Sequence, residues 1–260
     1  MASVPSKTFR ELSRQLDAAI NRCIYVSRKH AGIRSPTGSH FYASVLFTLL
    51  TTKAISLRKL LPKLKPKTMS DEHWDYGSVC TLTRSVLETR LAFYYLGYEP
   101  CSEAEWQCRW AIFCLHDEAT RGKMLEGIAP PSFTAEEQAV YDANMHEHRD
   151  KLKTNSVFSA LPEGTQSRFL QGKQAFMHPL EEIAIKCRIP LEQFRFFYTF
   201  MSSHAHALPV AYFRMDEGNR GRGIHSELEE QYHLMCMGLA IALVGSAANE
   251  MELKFAARAA

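Results

Sequence analysis

No two cysteines in this chain stand in a C-x-x-C arrangement. The seven cysteines, at 23, 80, 101, 108, 114, 187 and 236, are odd in number and scattered. This argues against a zinc ribbon or a thioredoxin-like motif, and reduced thiols in a cytoplasmic protein are the expectation. Long apolar runs are also lacking. The greasiest stretch, LMCMGLAIALVGSAA at 234–248, falls short of the roughly 18–20 apolar residues that cross a bilayer. It is read as the buried part of a long helix, with no membrane span. The opening MASVPSKTFREL has no apolar stretch behind its first charges, so no secretory signal is expected. A Walker loop, a dinucleotide fingerprint and a G-x-S-x-G elbow are absent as well. Di-iron bundles need two Glu-x-x-His motifs with two further glutamates, and Glu230-x-x-His233 stands alone. His146 and His148 are two residues apart and cannot share a helix face. No metal and no cofactor are expected.

Acidic residues are missing from one long interval. Between Asp17 and Asp71 there is none, while Arg22, Arg28, Lys29, Arg34, Lys53, Arg58, Lys59, Lys63, Lys65 and Lys67 all fall there. That is +10 locally in a chain of net charge +3, so the remainder sums to −7. Such a field attracts phosphates, RNA or an anionic surface. The plainer alternative is that it packs against the acidic remainder of its own fold.

Helical periodicity is present almost everywhere, and strands are nearly absent. The pattern predicts helices over about 6–29, 39–60, 74–97, 102–127, 134–158 and 190–213, shorter pieces within 165–187, and a last helix from about 226 almost to the end. Phe9, Leu12, Leu16, Ile20, Cys23 and Ile24 carry three- and four-residue spacing in the first. Ser102 with Glu105, Thr134 with Glu137 and Ser226 with Glu229 are capping-box signatures. Pro209 is expected to kink or end the helix that starts near Pro190. The class is all-α, of seven or eight helices. The simplest organisation is one bundle-like domain over 1–260, with 1–70 a basic helical hairpin and 75–258 the main bundle. At 260 residues, with 46% hydrophobic and 23% charged, the chain can bury such a core without covalent staples.

The candidate chemistry lies in YTFMSSHAHA, 198–207. Successive helical residues turn about 100°, so Tyr198, Ser202 and His206 drift only about 80° and line one stripe. Apolar neighbours Phe197, Phe200 and Met201 make this helix largely interior. Arg84 and Glu88 stand at i and i+4 in LTRSVLETRLAFYYLGYE, a spacing that fits an ion pair. A buried guanidinium is costly unless paired, and one that persists is often there to hold an anion.

TRSVLETRLAFYYL, a later arginine and Y-x3-S-x3-H resemble a family of bacterial helical proteins of unknown function. In that family an R-x3-E helix leads into an aromatic "YL" stretch, a second helix adds an arginine, and a late helix reads Y-x3-S-x3-H. The likeness covers about 75–215. It implies that Arg84, Glu88, Tyr95, Arg109, Tyr198, Ser202 and His206 meet in one pocket between helices. Arg109-x6-His116 is also similar to the Arg-x4–6-His motif of helical ribonucleases of the higher-eukaryotes-and-prokaryotes nucleotide-binding superfamily. His206 departs from that pattern, having no arginine at the required spacing.

Two readings stay open. In the first, a polar pocket holds a phosphate-bearing ligand, RNA or a nucleotide. His206 then acts as general acid or base in metal-independent phosphodiester cleavage, Arg84 and Arg109 stabilise negative charge, Tyr198 and Ser202 orient the substrate, and Glu88 fixes Arg84. In the second, the same residues are a structural network in a non-enzymatic interaction module. Its last helix packs on a partner or on a second copy in a homodimer. Convergence of Arg84 and His206 is common to both.

Overall fold

A computed structural model describes residues 5–126, 134–213 and 221–256. Within them the protein is all-α, with no strand. The eleven α-helices among the described residues exceed the seven or eight expected because short pieces form separate turns. Contacts divide the chain into two compact units, Met1–Tyr98 with Ile183–Ala260, and Glu99–Glu182.

In the first unit, α1 (Lys7–Lys29), α2 (Gly38–Leu60) and α3 (Tyr76–Ala92) pack with α11 (Glu227–Ala256). α11 is, among the described residues, the one helix long and apolar enough to cross a membrane. A core helix passes the same test, and α11 buries His233, Cys236, Met237, Ala240, Leu243, Val244, Ala247, Met251 and Phe255 at helical spacing. Alanines at 240, 247 and 248 allow neighbouring helices to approach closely. α1 answers with Phe9, Leu16, Ile20 and Cys23, as its periodicity predicts, and with Ser13 and Val26 in place of Leu12 and Ile24. Each buried leucine or valine contributes about 1.5–3 kcal/mol.

The ends of these helices are fixed by polar ties. The Ser6 hydroxyl caps α1 by accepting from Phe9 N–H. The Ser6 N–H donates to the buried Glu230 carboxylate of α11 (3.1 and 3.3 Å), which also pairs with His225 Nε2 at 2.6 Å. One turn on, His233 is fully buried among Phe9 and Trp74. Its Nδ1 donates to the Glu229 carbonyl (2.7 Å).

α3 does not stop at Ala92. It widens into a π-helical segment, Phe93–Tyr98, that packs on α2. Gly97 is needed there: a Cβ would meet Ala43 Cα at 2.7 Å and Cβ at 2.9 Å. Its carbonyl accepts from Ser39 Oγ (3.0 Å). The helix expected over 190–213 ends earlier, because α9 (Leu191–Ala205) is followed by Ala207 in the left-handed region (φ 48°). Pro209 then opens a new short helix, α10 (Pro209–Tyr212), as its N1 residue. The short helix α8 (Leu180–Lys186) spans the division between the units.

The second unit holds α4 (Glu103–Glu126), α5 (Ala135–Lys153), α6 (Ser156–Ser159) and α7 (Glu163–Leu170). Thr134 and Glu137 form the expected capping box. The helix expected to reach Phe158 ends at Lys153, because the Asn155 side chain caps a new turn through the N–H groups of Val157 and Phe158. Cys108, Ile112 and Leu115 of α4 pack with Met145, Leu152, Phe158 and Phe169. Pro130 and Pro131, which the sequence offers as the stop after α4, fall outside the described residues.

Two outcomes follow. Gly97→Ala is expected to destabilise by about 1–3 kcal/mol through overpacking against α2, read from chemical denaturation. Burial pushes the His233 imidazole down to about 4, against about 6.5 unfolded. Its contribution is complete above pH 6.5 and is lost as pH falls towards 4, amounting to roughly 3 kcal/mol. Glu229, raised by burial, works in the opposite sense and loses its contribution as pH rises. His233→Leu is therefore expected to flatten the fall in stability between pH 6.5 and 4 relative to wild type, measured by urea unfolding across that range.

Candidate functional site

Arg84 and His206 are 122 residues apart and meet in the first unit. Arg84 leaves α3, and its Nη1 donates to His206 Nε2 at 3.0 Å. Its Nη2 donates to the Tyr198 hydroxyl at 3.2 Å and pairs with Glu88 Oε1 at 3.1 Å. The guanidinium carbon also lies 4.9 Å from the centre of the Tyr198 ring, a cation–π contact. Tyr198 stands on α9, which packs on α3, and His206 caps the C-terminus of α9. The i, i+4 spacing on α3 and the eight-residue spacing on α9 bring four of the sequence-predicted residues to one place.

The electrostatics follow from these partners. The Arg84 side chain is 16% exposed. Desolvation opposes its charge, but the Tyr198 hydroxyl and the Glu88 carboxylate outweigh that and hold its pKa above the ordinary arginine value. Arginine has only donors, so His206 Nε2 must accept. The hydrogen bond therefore selects the neutral tautomer with its proton on Nδ1, leaving a basic nitrogen beside a fixed positive charge. His206 is exposed. Arg84 Nε is buried without a hydrogen-bond partner.

Ser202 contributes differently. Its hydroxyl donates to the Tyr198 carbonyl of its own helix, so it stitches α9. Tyr95 is fully buried in the π-helical segment. Arg109 belongs to the second unit. It is 1% exposed and pairs with Glu99 at 2.7 Å and Glu105 at 2.5 Å, which is the geometry of an internal strut. In the same unit, His116 Nδ1 donates to the Gly172 carbonyl (2.8 Å).

Lys53 of α2 is a neighbour that the motif does not contain. Its Nζ donates to Thr89 Oγ1 (2.6 Å) and to the Ser85 carbonyl (3.4 Å) on α3. Desolvation lowers its pKa, and the attraction of Glu88 partly restores it. Glu88 thus serves two cations, Arg84 and Lys53, and the group carries net positive charge. The available signal was a single lysine in the otherwise uncharged stretch from Gly38 to Leu57. Among the described residues no cluster of histidine, cysteine or carboxylate side chains could hold a metal ion.

Compared with protein-family models, curated proteins and solved structures, the chain matches none.

Tyr198→Phe removes one acceptor from Arg84 and is expected to cost about 1 kcal/mol in urea unfolding. Ser202→Ala, which removes only a bond within its own helix, is expected to stay within about 0.5 kcal/mol.

Proposed function

We propose that the chain binds a phosphate-bearing ligand, RNA or a nucleotide, at the Arg84 face, and that His206 supports metal-independent cleavage of a phosphodiester there. One observation carries the reading: a guanidinium held at 3.0 Å from an exposed imidazole nitrogen that must be unprotonated. A phosphate competing for Arg84 Nη1 frees His206 Nε2 next to the bound anion. That nitrogen takes the proton of an attacking hydroxyl, such as the ribose 2′-OH. The hydroxyl oxygen bonds to phosphorus, the bond from phosphorus to the leaving oxygen breaks, and that oxygen takes up a proton from the imidazolium so formed or from water. Arg84 and Lys53 offset the charge that develops on the phosphoryl oxygens. Tyr198 orients the guanidinium, and Glu88 holds both cations in place.

The rival reading, a non-enzymatic interaction module with a structural network, draws on how fully Arg84 is engaged by Glu88, Tyr198 and His206. The two differ in what His206 does. A short single-stranded RNA binds and is cleaved in EDTA if the first is right. His206→Ala is then expected to keep the helical circular dichroism and the RNA anisotropy signal while cleavage falls at least 100-fold, and Arg84→Met is expected to weaken binding at least tenfold. Absence of RNA or nucleotide binding by the wild type, or unfolding of His206→Ala, establishes the structural role instead.

A further inference from the structure

A second guanidinium on α3 lies in a different setting. Arg90 is 1% exposed. Its Nε donates to Ser246 Oγ (3.2 Å) and its Nη2 to Glu250 Oε1 (2.6 Å). The rings of Phe93 and Tyr94 each lie 5.6 Å from its central carbon. Two atoms are left over: Arg90 Nη1 and Glu250 Oε2 are both buried without a hydrogen-bond partner. Both residues line a cavity of about 530 Å³. A buried donor and a buried acceptor left unpaired are both costly, so a ligand in the cavity that engages either relieves that cost.

The rest of the lining is specific in chemistry. Lys186 and Arg188 add positive charge, Tyr94 and Tyr98 of the π-helical segment add flat faces, and Leu239 and Leu243 of α11 add apolar surface. Three cations against Glu250 leave the lining at +2. Arg188 is in the left-handed region (φ 62°), which glycine adopts freely and a residue with a Cβ does not. π-Helical segments and non-glycine residues at positive φ both concentrate at functional sites, and here both border one cavity.

We propose that this cavity binds a small organic carboxylate with a flat apolar body and a hydroxyl next to the acid group. The carboxylate accepts from Arg188 and from Arg90 Nη1. The neighbouring hydroxyl donates to Glu250 Oε2, and the body lies against Tyr94 and Tyr98. Burial raises the Glu250 carboxyl above its ordinary value, and a donated hydrogen bond relieves that penalty. Inorganic phosphate supplies the charge but has no body for the aromatic walls. The site uses none of Arg84, Tyr198 or His206, so it stands or falls apart from the proposed function.

Isothermal titration of the full chain with salicylate, benzoate and inorganic phosphate at constant ionic strength tests this. Salicylate is expected to bind with a Kd below about 1 mM. Benzoate, without the hydroxyl, is expected to bind at least about threefold more weakly, and phosphate at least about tenfold more weakly. Arg188→Gly removes the charge and suits the backbone, so it is expected to keep or raise the melting temperature while weakening salicylate at least about tenfold. Arg188→Asn, which also tolerates the left-handed region, is a second variant with the same expectation. No heat with salicylate, unchanged affinity in both variants, or phosphate binding as tightly as salicylate overturns the proposal.

Discussion

The first unit depends on the burial of α11. Thirty residues of helix are laid against α1, α2 and α3, and the apolar stripe on α11 can be hidden only if those three stay in register. Small side chains at 240, 247 and 248 make the approach close, which leaves little room for adjustment. Glu230 locks the register at one end, holding the N–H of Ser6, which caps α1, and the imidazole of His225 with one carboxylate. A carboxylate this buried is tolerable because those donors replace the water it lost.

Against that rigid frame, three guanidiniums show how local partners divide the same chemistry. Arg109 faces two carboxylates, so its charge is neutralised inside the second unit. Arg84 faces one carboxylate, a phenol and an imidazole, and two of those are neutral. Its field is left partly available at an exposed edge. Arg90 has one carboxylate and one hydroxyl and retains a donor that nothing meets. The more incomplete the pairing, the more a new anion can gain.

Much of this was legible in residue order. The stripe Phe9, Leu16, Ile20 and Cys23 and the three capping signatures depend on local spacing, and a helix reports local spacing directly. The pairing of Arg84 with Glu88 and the alignment of Tyr198 with His206 were legible from turn-length spacing, whereas the meeting of the two helices was expected only from the family resemblance, since no spacing links α3 to α9. Lys53 was not, since its partners Ser85 and Thr89 lie on another helix and no spacing links them. The break at Asn155 was hidden because its cap competes with a helix that the surrounding periodicity also permits. The π-helical widening after Ala92 has no sequence period of its own. The close contact of Gly97 with Ala43 is a tertiary fact, visible only once α2 and α3 are side by side.

α3 carries both Arg84 and Arg90. Six residues separate them, which turns one about 240° from the other around the axis. The same rod therefore presents a positive charge to α9 on one flank and to α11 on another. It cannot slide or roll to suit one neighbour without disturbing the second. One helix thereby carries two guanidiniums whose partners lie on different neighbours.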